Sequence, residues 1–382
     1  MKRLTDMLPI VKFIFWFSVI LIFYPYIGYL LILKVISFFK SNNSIADNKE
    51  FKPLVTLLIS AYNEEAVIED KILNSLDLNY PKELLEIVVI SDGSDDKTNE
   101  LVMKYADKGV VLRRYEGRIG KTACLNKAVP LAEGEIIVFS DANSRYDREA
   151  IRELVRSFAD KEVGFVTGFT RYTTDEGLID SISLYSRIEK ITKKLESKIA
   201  SCVGADGAIF AIRKPLYKLL NDYDINDLVI PLNVIKQGYR GRFEDRAFCT
   251  EKAVSYRGEF NRQVRITNRT LRAIFSNFSM LNPFKFKFFS FELLSHKICR
   301  FMAPFFMMII FITNLILSFT DGYLYMLILI GQALFYLTAL LKHFGIGLSP
   351  FYTFTLVNTA IFWGWVRYFR GETYTAWSPT QR

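Results

Sequence analysis

Ile87-Val-Val-Ile-Ser-Asp92 and Glu135-Ile-Ile-Val-Phe-Ser-Asp141 are two short apolar runs, each closed by an aspartate. Uninterrupted β-branched runs of this length read as strands buried on both faces of a parallel sheet. Open α/β sheets bind ligands outside the carboxyl ends of their strands, so both carboxylates are expected at one rim. Asp141 opens Asp141-Ala142-Asn143, which carries two oxygen-bearing side chains. Hard oxygen ligands at a strand end suit Mg²⁺ or Mn²⁺ on a phosphorylated substrate.

Outward from these runs the alternation continues. Leu54 to Ser60 reads as a first strand with a helix from Glu64. Ile87 to Asp92 is followed by a helix near Asp95, Val110 to Arg114 by a helix from Lys121, and Glu135 to Asp141 is the fourth strand. The fold class expected is α/β, a mostly parallel sheet with helices on both faces. This domain covers 51–258, and a polar linker, 41–50, precedes it.

The remainder reads as membrane. The chain has 382 residues, a net charge of +9, 33 Phe and 20 Tyr. Its Lys and Arg flank apolar stretches instead of forming one patch, which fits anionic lipid headgroups and gives no nucleic-acid partner. Phe13 to Leu33 is uncharged and long enough to cross a bilayer, within an N-terminal segment 1–40. It is too long for a signal peptide, and no small-residue cleavage site follows. Phe301 to Thr320 and Gly322 to Leu341 form a hairpin, 300–342, split by Asp321. Phe344 to Val366, inside 343–371, crosses the membrane or lies at its interface. Segment 259–299 is basic, then Phe-rich from Asn277 to Phe291, as an interfacial segment would be. The four cysteines lack zinc spacing and read as reduced thiols.

At the expected rim, Tyr62 can stack on a planar base and Asp92 can accept from its N–H groups. Asn63 alternatively caps the following helix. Gly120-Lys121-Thr122 is not a P-loop, since position 115 is Tyr where Gly is required. Lys121 can still meet a diphosphate at a helix start, or be an ordinary loop lysine.

In order and spacing, Ser60–Glu65 (SAYNEE), Val89–Thr98 (VISDGSDDKT), Gly120–Ala128 (GKTACLNKA) and Phe139–Asn143 (FSDAN) resemble the successive motifs of family 2 glycosyltransferases. Membrane-embedded members include cellulose, chitin and hyaluronan synthases and glycolipid-forming transferases. The resemblance implies a GT-A fold, a nucleotide-sugar donor (UDP by expectation), Mg²⁺ or Mn²⁺, and inversion at the anomeric carbon. It implies that Tyr62, Glu64 and Asp92 hold the nucleoside and Lys121 the diphosphate, with Asp141 on the metal. Asn143 stands where the family's Asp-x-Asp has its second aspartate, a neutral and weaker ligand. By the same likeness Asp227 is the general base, although Ile225-Asn226-Asp227 departs from the family's Thr-Glu-Asp. Asp224 and Asp222 are weaker candidates.

Arg262-Gln-Val-Arg265-Ile266 resembles the synthases' Gln-x-x-Arg-Trp, keeping Arg265 for the diphosphate. Ile266 replaces the acceptor-stacking Trp, which counts against processive synthesis. Trp377-Ser-Pro-Thr-Gln-Arg382 resembles their gating loop, with Trp377 toward the acceptor and Arg382 toward the donor. It forms a tail, 372–382, that must share the catalytic domain's side. Asp206, before the strand Ala208 to Arg213, either touches the acceptor or shapes the turn at Gly207. The reading is an integral protein of a bacterial or archaeal cell membrane with a cytosolic catalytic domain. Its acceptor is lipid-linked or a saccharide, and its other partners are membrane lipids. Two rivals are weaker. A transporter needs ionisable residues in its membrane helices, whereas the hairpin has only Asn314 and Gln332 besides hydroxyls. A non-catalytic nucleotide-binding protein would tolerate loss of Asp227.

Overall fold

The structure is a computed structural model. It describes residues 2–40, 50–174, 177–178, 180–252, 256–343, 346 and 349–375. In chain order the elements are α1 (Lys2–Phe23), α2 (Tyr29–Phe39), β1 (Val55–Ala61), α3 (Ile68–Leu76), β2 (Leu85–Asp92), α4 (Thr98–Met103), β3 (Val110–Tyr115), α5 (Lys121–Ala128), β4 (Ile136–Asp141), β5 (Arg145–Tyr146) and α6 (Ala150–Arg156). There follow β6 (Val163–Thr174), β7 (Gly177–Leu178), α7 (Asp180–Ile199), β8 (Ile209–Arg213), α8 (Asn226–Lys236), β9 (Arg240–Lys252), α9 (Tyr256–Ser276), α10 (Pro283–Phe286), α11 (Phe288–Leu293), α12 (Cys299–Phe301), α13 (Ala303–Thr320), α14 (Tyr323–His343) and α15 (Ser349–Phe369).

The sheet runs β3-β2-β1-β4-β8-β6-β9-β5, with β7 paired to β6. Its first half is parallel, β3 to β2 to β1 to β4, as the apolar runs predict. Strand alternation explains why those runs lack polar positions. Leu57, Ile59, Ile87 and Val89 face one core cluster, and Leu58, Val88 and Ile90 face the other. The second half is mixed, since β8 runs antiparallel to β4 and β6 while β9 runs parallel to β6. Both long strands, β6 and β9, escape a reading by apolar runs. They carry Gly164, Gly168 and Gly241, which read as breakers, and β6 slips register against β9 twice. The glycines allow close approach: a Cβ on Gly241 would lie 2.0 Å from the Phe165 ring.

Three helical runs among the described residues are long and apolar enough to cross a membrane: Met7–Phe39, Phe288–Thr320 and Tyr323–Lys342. The first is α1 and α2 joined through a π-turn at Tyr24–Gly28. In the second, Glu292, His296, Lys297 and Arg300 occupy the first half, so the uncharged stretch begins at Phe301. At the end of the bundle away from the sheet, Lys12 pairs with Asp321 in the α13–α14 turn at 2.6 Å. The Phe15 and Tyr325 rings meet nearby, with centroids 5.5 Å apart. Helix α15 is not among the three. It packs on α9, where Gly364 lies under Thr267, and Trp365 Nε1 donates to Phe301 O at 2.9 Å. The Phe-rich segment divides: Phe289 enters the core, Phe288 and Phe291 pack against Tyr29 and Leu33, and Phe284 alone is almost wholly exposed.

Candidate active site

Strands β1, β2 and β4 end side by side, and their carboxyl ends form one wall of a cavity of about 200 Å³. Tyr62, Asp92, Lys121 and Asp141 line it from this wall, Asp206 lies where β8 starts beside the end of β4, Asp227 lies against Gly207, and Arg262, Arg265, Ile266 and Arg269 of α9 complete the lining. The strand ends and the start of α5 are thus brought together as expected. Trp377 and Arg382 lie outside the described residues.

The loops after β1 and β2 are laced together. Asn63, at φ 50°, exchanges two hydrogen bonds with Asp95. The N–H groups of Glu64 and Glu65 donate to Thr98 and Asp96. Asn63 is therefore a loop tie and not a helix cap, because α3 starts only at Ile68. Glu64 is buried beneath the rim and does not line the cavity. The Asp92 carboxylate accepts the N–H of Ile119 at 2.8 Å and of Gly120 at 3.0 Å. It thus shapes the turn that opens α5, where Gly120 takes φ 91°. One face of the Tyr62 ring is covered by Arg118, whose Cζ is 3.9 Å from the centroid.

Helix α5 begins at Lys121, and its ammonium donates to Asp141 Oδ1. Asn143 lies off this cavity and lines an adjoining one with Lys71 and Ser144. Glu251, on β9, lines both. Burial and then the charge of Asp141 push the Glu251 carboxyl up to about 7, while a hydrogen bond from Ser144 opposes the shift. Two carboxylates that repel each other across one cavity are a hard-oxygen set that a divalent cation would relieve. The residues present therefore fit such an ion, with Glu251 in place of the expected Asn143 as the second oxygen donor. No group of three or more His, Cys, Asp or Glu is arranged for a metal among the described residues.

Asp227 sits in the first turn of α8, as the motif order predicts. Its main-chain carbonyl accepts the Ala205 N–H at 2.8 Å. A Cβ on Gly207 would come within 3.0 Å of its Oδ2, so the glycine leaves room for this carboxylate. Burial raises the Asp227 carboxyl above its usual range, opposed by the charges of Lys297, Lys121, Lys193 and Arg269. A half-buried carboxyl poised in this way is what a general base needs. Asp206 does shape the turn: it accepts the N–H and hydroxyl of Thr170 and the N–H of Ala208, while still lining the cavity.

On α9, Arg262 is engaged by Glu259 at 2.8 Å. Arg269 reaches the Tyr223 and Asp224 carbonyls and Thr122, bracing the loop before Asp227. Arg265 makes no hydrogen bond or ion pair among the described residues. Burial, then Arg269 and Arg262, lower its guanidinium to about 10, still cationic at neutral pH. An unpaired guanidinium aimed into a cavity is a ready partner for an anion. Arg269 and Glu251 escape the sequence motifs. Arg269 was findable one helical turn beyond Arg265, whereas Glu251 needed the placement of β9.

Residues 56–220 match the model of Glycosyl transferase family 2. A probable glycosyltransferase, YdaM of Bacillus subtilis, is 28% identical over 224 residues, 54% of this chain and 52% of that protein. A poly-beta-1,6-N-acetyl-D-glucosamine synthase of Staphylococcus aureus is 28% identical over 205 residues, 51% of this chain and 49% of that protein. The chain thus spans about half the length of the curated relatives it matches. The solved mannosyltransferase PcManGT of Pyrobaculum calidifontis, in complex with GDP-Man and Mn²⁺, shares the fold with a TM-score of 0.76 at 21% identity, covering 95% of this chain and 99% of that one.

Proposed function

We propose that the chain is an inverting transferase at the membrane face, because residues 56–220 match the Glycosyl transferase family 2 model and the chain shares the fold of a solved mannosyltransferase. It moves a sugar from a nucleoside-diphosphate donor, UDP-linked by expectation, to a lipid-linked or saccharide acceptor. The observation that carries this reading is one cavity lined by Asp227, Asp141 and the unpaired Arg265 together.

The base enters beside Tyr62 and Asp92, displacing or stacking with Arg118. Arg265, with Lys121 freed from Asp141, meets the diphosphate, whose charge grows as the glycosidic bond breaks. Asp141 and Glu251 would hold Mg²⁺ or Mn²⁺, and such an ion would supply charge neutralisation for the leaving diphosphate. Asp227 takes the proton of the acceptor hydroxyl as it attacks the face opposite the nucleotide. A single transfer is preferred to processive synthesis. Ile266 lines the cavity, and an aliphatic side chain gives a sugar less stacking surface than an indole.

Membranes carrying the protein, incubated with labelled UDP- and GDP-sugars, test this directly. The label is expected in a lipid-soluble or short-saccharide fraction, and none is expected with Asp141→Ala. Label confined to a long polymer would overturn the single-transfer reading. No incorporation from any donor would overturn the transferase reading.

A further inference from the structure

Between the cavity and the membrane helices lies a set of buried charges. Glu189 of α7 is engaged by Arg300 at 2.8 Å and by His296 Nε2 at 3.1 Å. Glu196, one helix face along, is engaged by His296 Nδ1 at 2.6 Å and by the Tyr29 hydroxyl at 2.8 Å. Both carboxylates are thus committed to other partners. Two cations remain: Lys193, of α7 and only 8% exposed, and Lys297, half-buried in the π-turn before α12. Neither ammonium makes a hydrogen bond or ion pair among the described residues. The Lys297 side chain lies over the Gly204 turn, its Cε 3.9 Å from where a Cβ of that glycine would be, beside Asp227 O. Both lysines act on Asp227 electrostatically.

A buried ammonium without a partner is costly. Burial, the largest single effect, would lower Lys193, but the charges of Glu189, Asp206, Cys202 and Glu196 together hold it above its ordinary value. It therefore stays charged. Lys297 is lowered by burial and by the charges of Lys193 and Arg300, against the pull of Glu189 and Asp227, so a divalent phosphate reached by both lysines would relieve that repulsion. Their place, beside the base and at the foot of a membrane helix, matches a phosphate borne on a lipid.

We infer that Lys193 and Lys297 form an anion subsite for the acceptor, which is a lipid carrying a phosphate ester next to the hydroxyl that Asp227 deprotonates. The inference rests on the transferase reading above and names the acceptor class for that site.

The test uses the full chain in neutral detergent, with UDP and Mn²⁺ saturating the donor end so that Arg265 is occupied. Binding of decyl phosphate, decanol and inorganic phosphate is measured by calorimetry. Decyl phosphate is expected to bind at least about tenfold tighter than either of the others. Lys193→Met and Lys297→Met should each lose about tenfold and the double variant should bind decyl phosphate no better than decanol, while the Lys→Arg variants keep most of the affinity. UDP affinity, unchanged across the variants, reports that each is folded. The inference is overturned if the double Met variant keeps the wild-type preference, or if decanol binds as well as decyl phosphate. Inorganic phosphate binding as tightly as decyl phosphate would make this a free-phosphate site and overturn the lipid assignment. The decyl phosphate titrations are repeated without nucleotide on the same Lys→Met variants, so absence of UDP and GDP binding by the wild type would count against the donor reading alone.

Discussion

At the scale of single residues, a carboxylate that closes an apolar run is marked in the sequence, and one inside a long mixed strand, such as Glu251, is not. Asp92 and Asp141 could be placed because each closes an uninterrupted apolar run, and such a run has one plausible direction and one plausible rim. Asp227 was placed by motif order despite its altered neighbours. Asn143 was misleading, because a two-residue spacing fixes proximity along a strand end but not which cavity the side chain faces. Glu251 belongs to β9, whose register depends on β6 and cannot be read locally.

Two predictions belong to this scale. Gly207→Ala places a methyl about 3.0 Å from Asp227 Oδ2. Transfer should fall at least about tenfold with donor affinity retained, and a variant with full turnover would show that the carboxylate needs no such room. The second concerns pH. A base acts deprotonated, and its raised carboxyl moves the acid limb of kcat/KM to a pH above the ordinary aspartate value of 3.8. Lys297 is the foremost charge opposing that rise. Lys297→Met should therefore shift the acid limb further up, measured as kcat/KM against pH. A downward shift would remove Lys297 from the surroundings of Asp227.

At the scale of elements, the parallel half of the sheet followed from composition alone, since strands covered on both faces need no polar alternation. The mixed half did not, because the glycines that let β6 and β9 approach their neighbours look like turns in isolation. Helix α9 joins sheet and membrane: its arginine face lines the cavity, and its opposite side rests on α15. A Cβ on Gly364 would lie 2.5 Å from Thr267 Cβ and 3.2 Å from Val264 O. Gly364→Ala should cost roughly 1–3 kcal/mol of stability through overpacking, read as a lower thermal midpoint. It should also weaken donor binding through Arg265. An unchanged midpoint would mean that α15 is not held tightly against α9.

At the scale of the molecule, the long apolar helices were visible as uncharged runs, but their association was not. The pairing of Lys12 with Asp321 places the start of α1 and the α13–α14 turn together, away from the sheet. With three crossings, a cysteine at Gly322 should label from the side opposite the catalytic domain, and one at Gly371 from the same side as the domain. Labelling of both from one side would contradict that topology.

The account centres on Asp227 as the group that takes the acceptor's proton while other residues hold the donor. The most direct measurement compares turnover and donor affinity in Asp227→Asn, which keeps shape and removes basicity. Transfer should fall by about 10²- to 10⁴-fold with the dissociation constant for the nucleotide-sugar within a few-fold of wild type. Near-normal turnover in that variant would contradict the account.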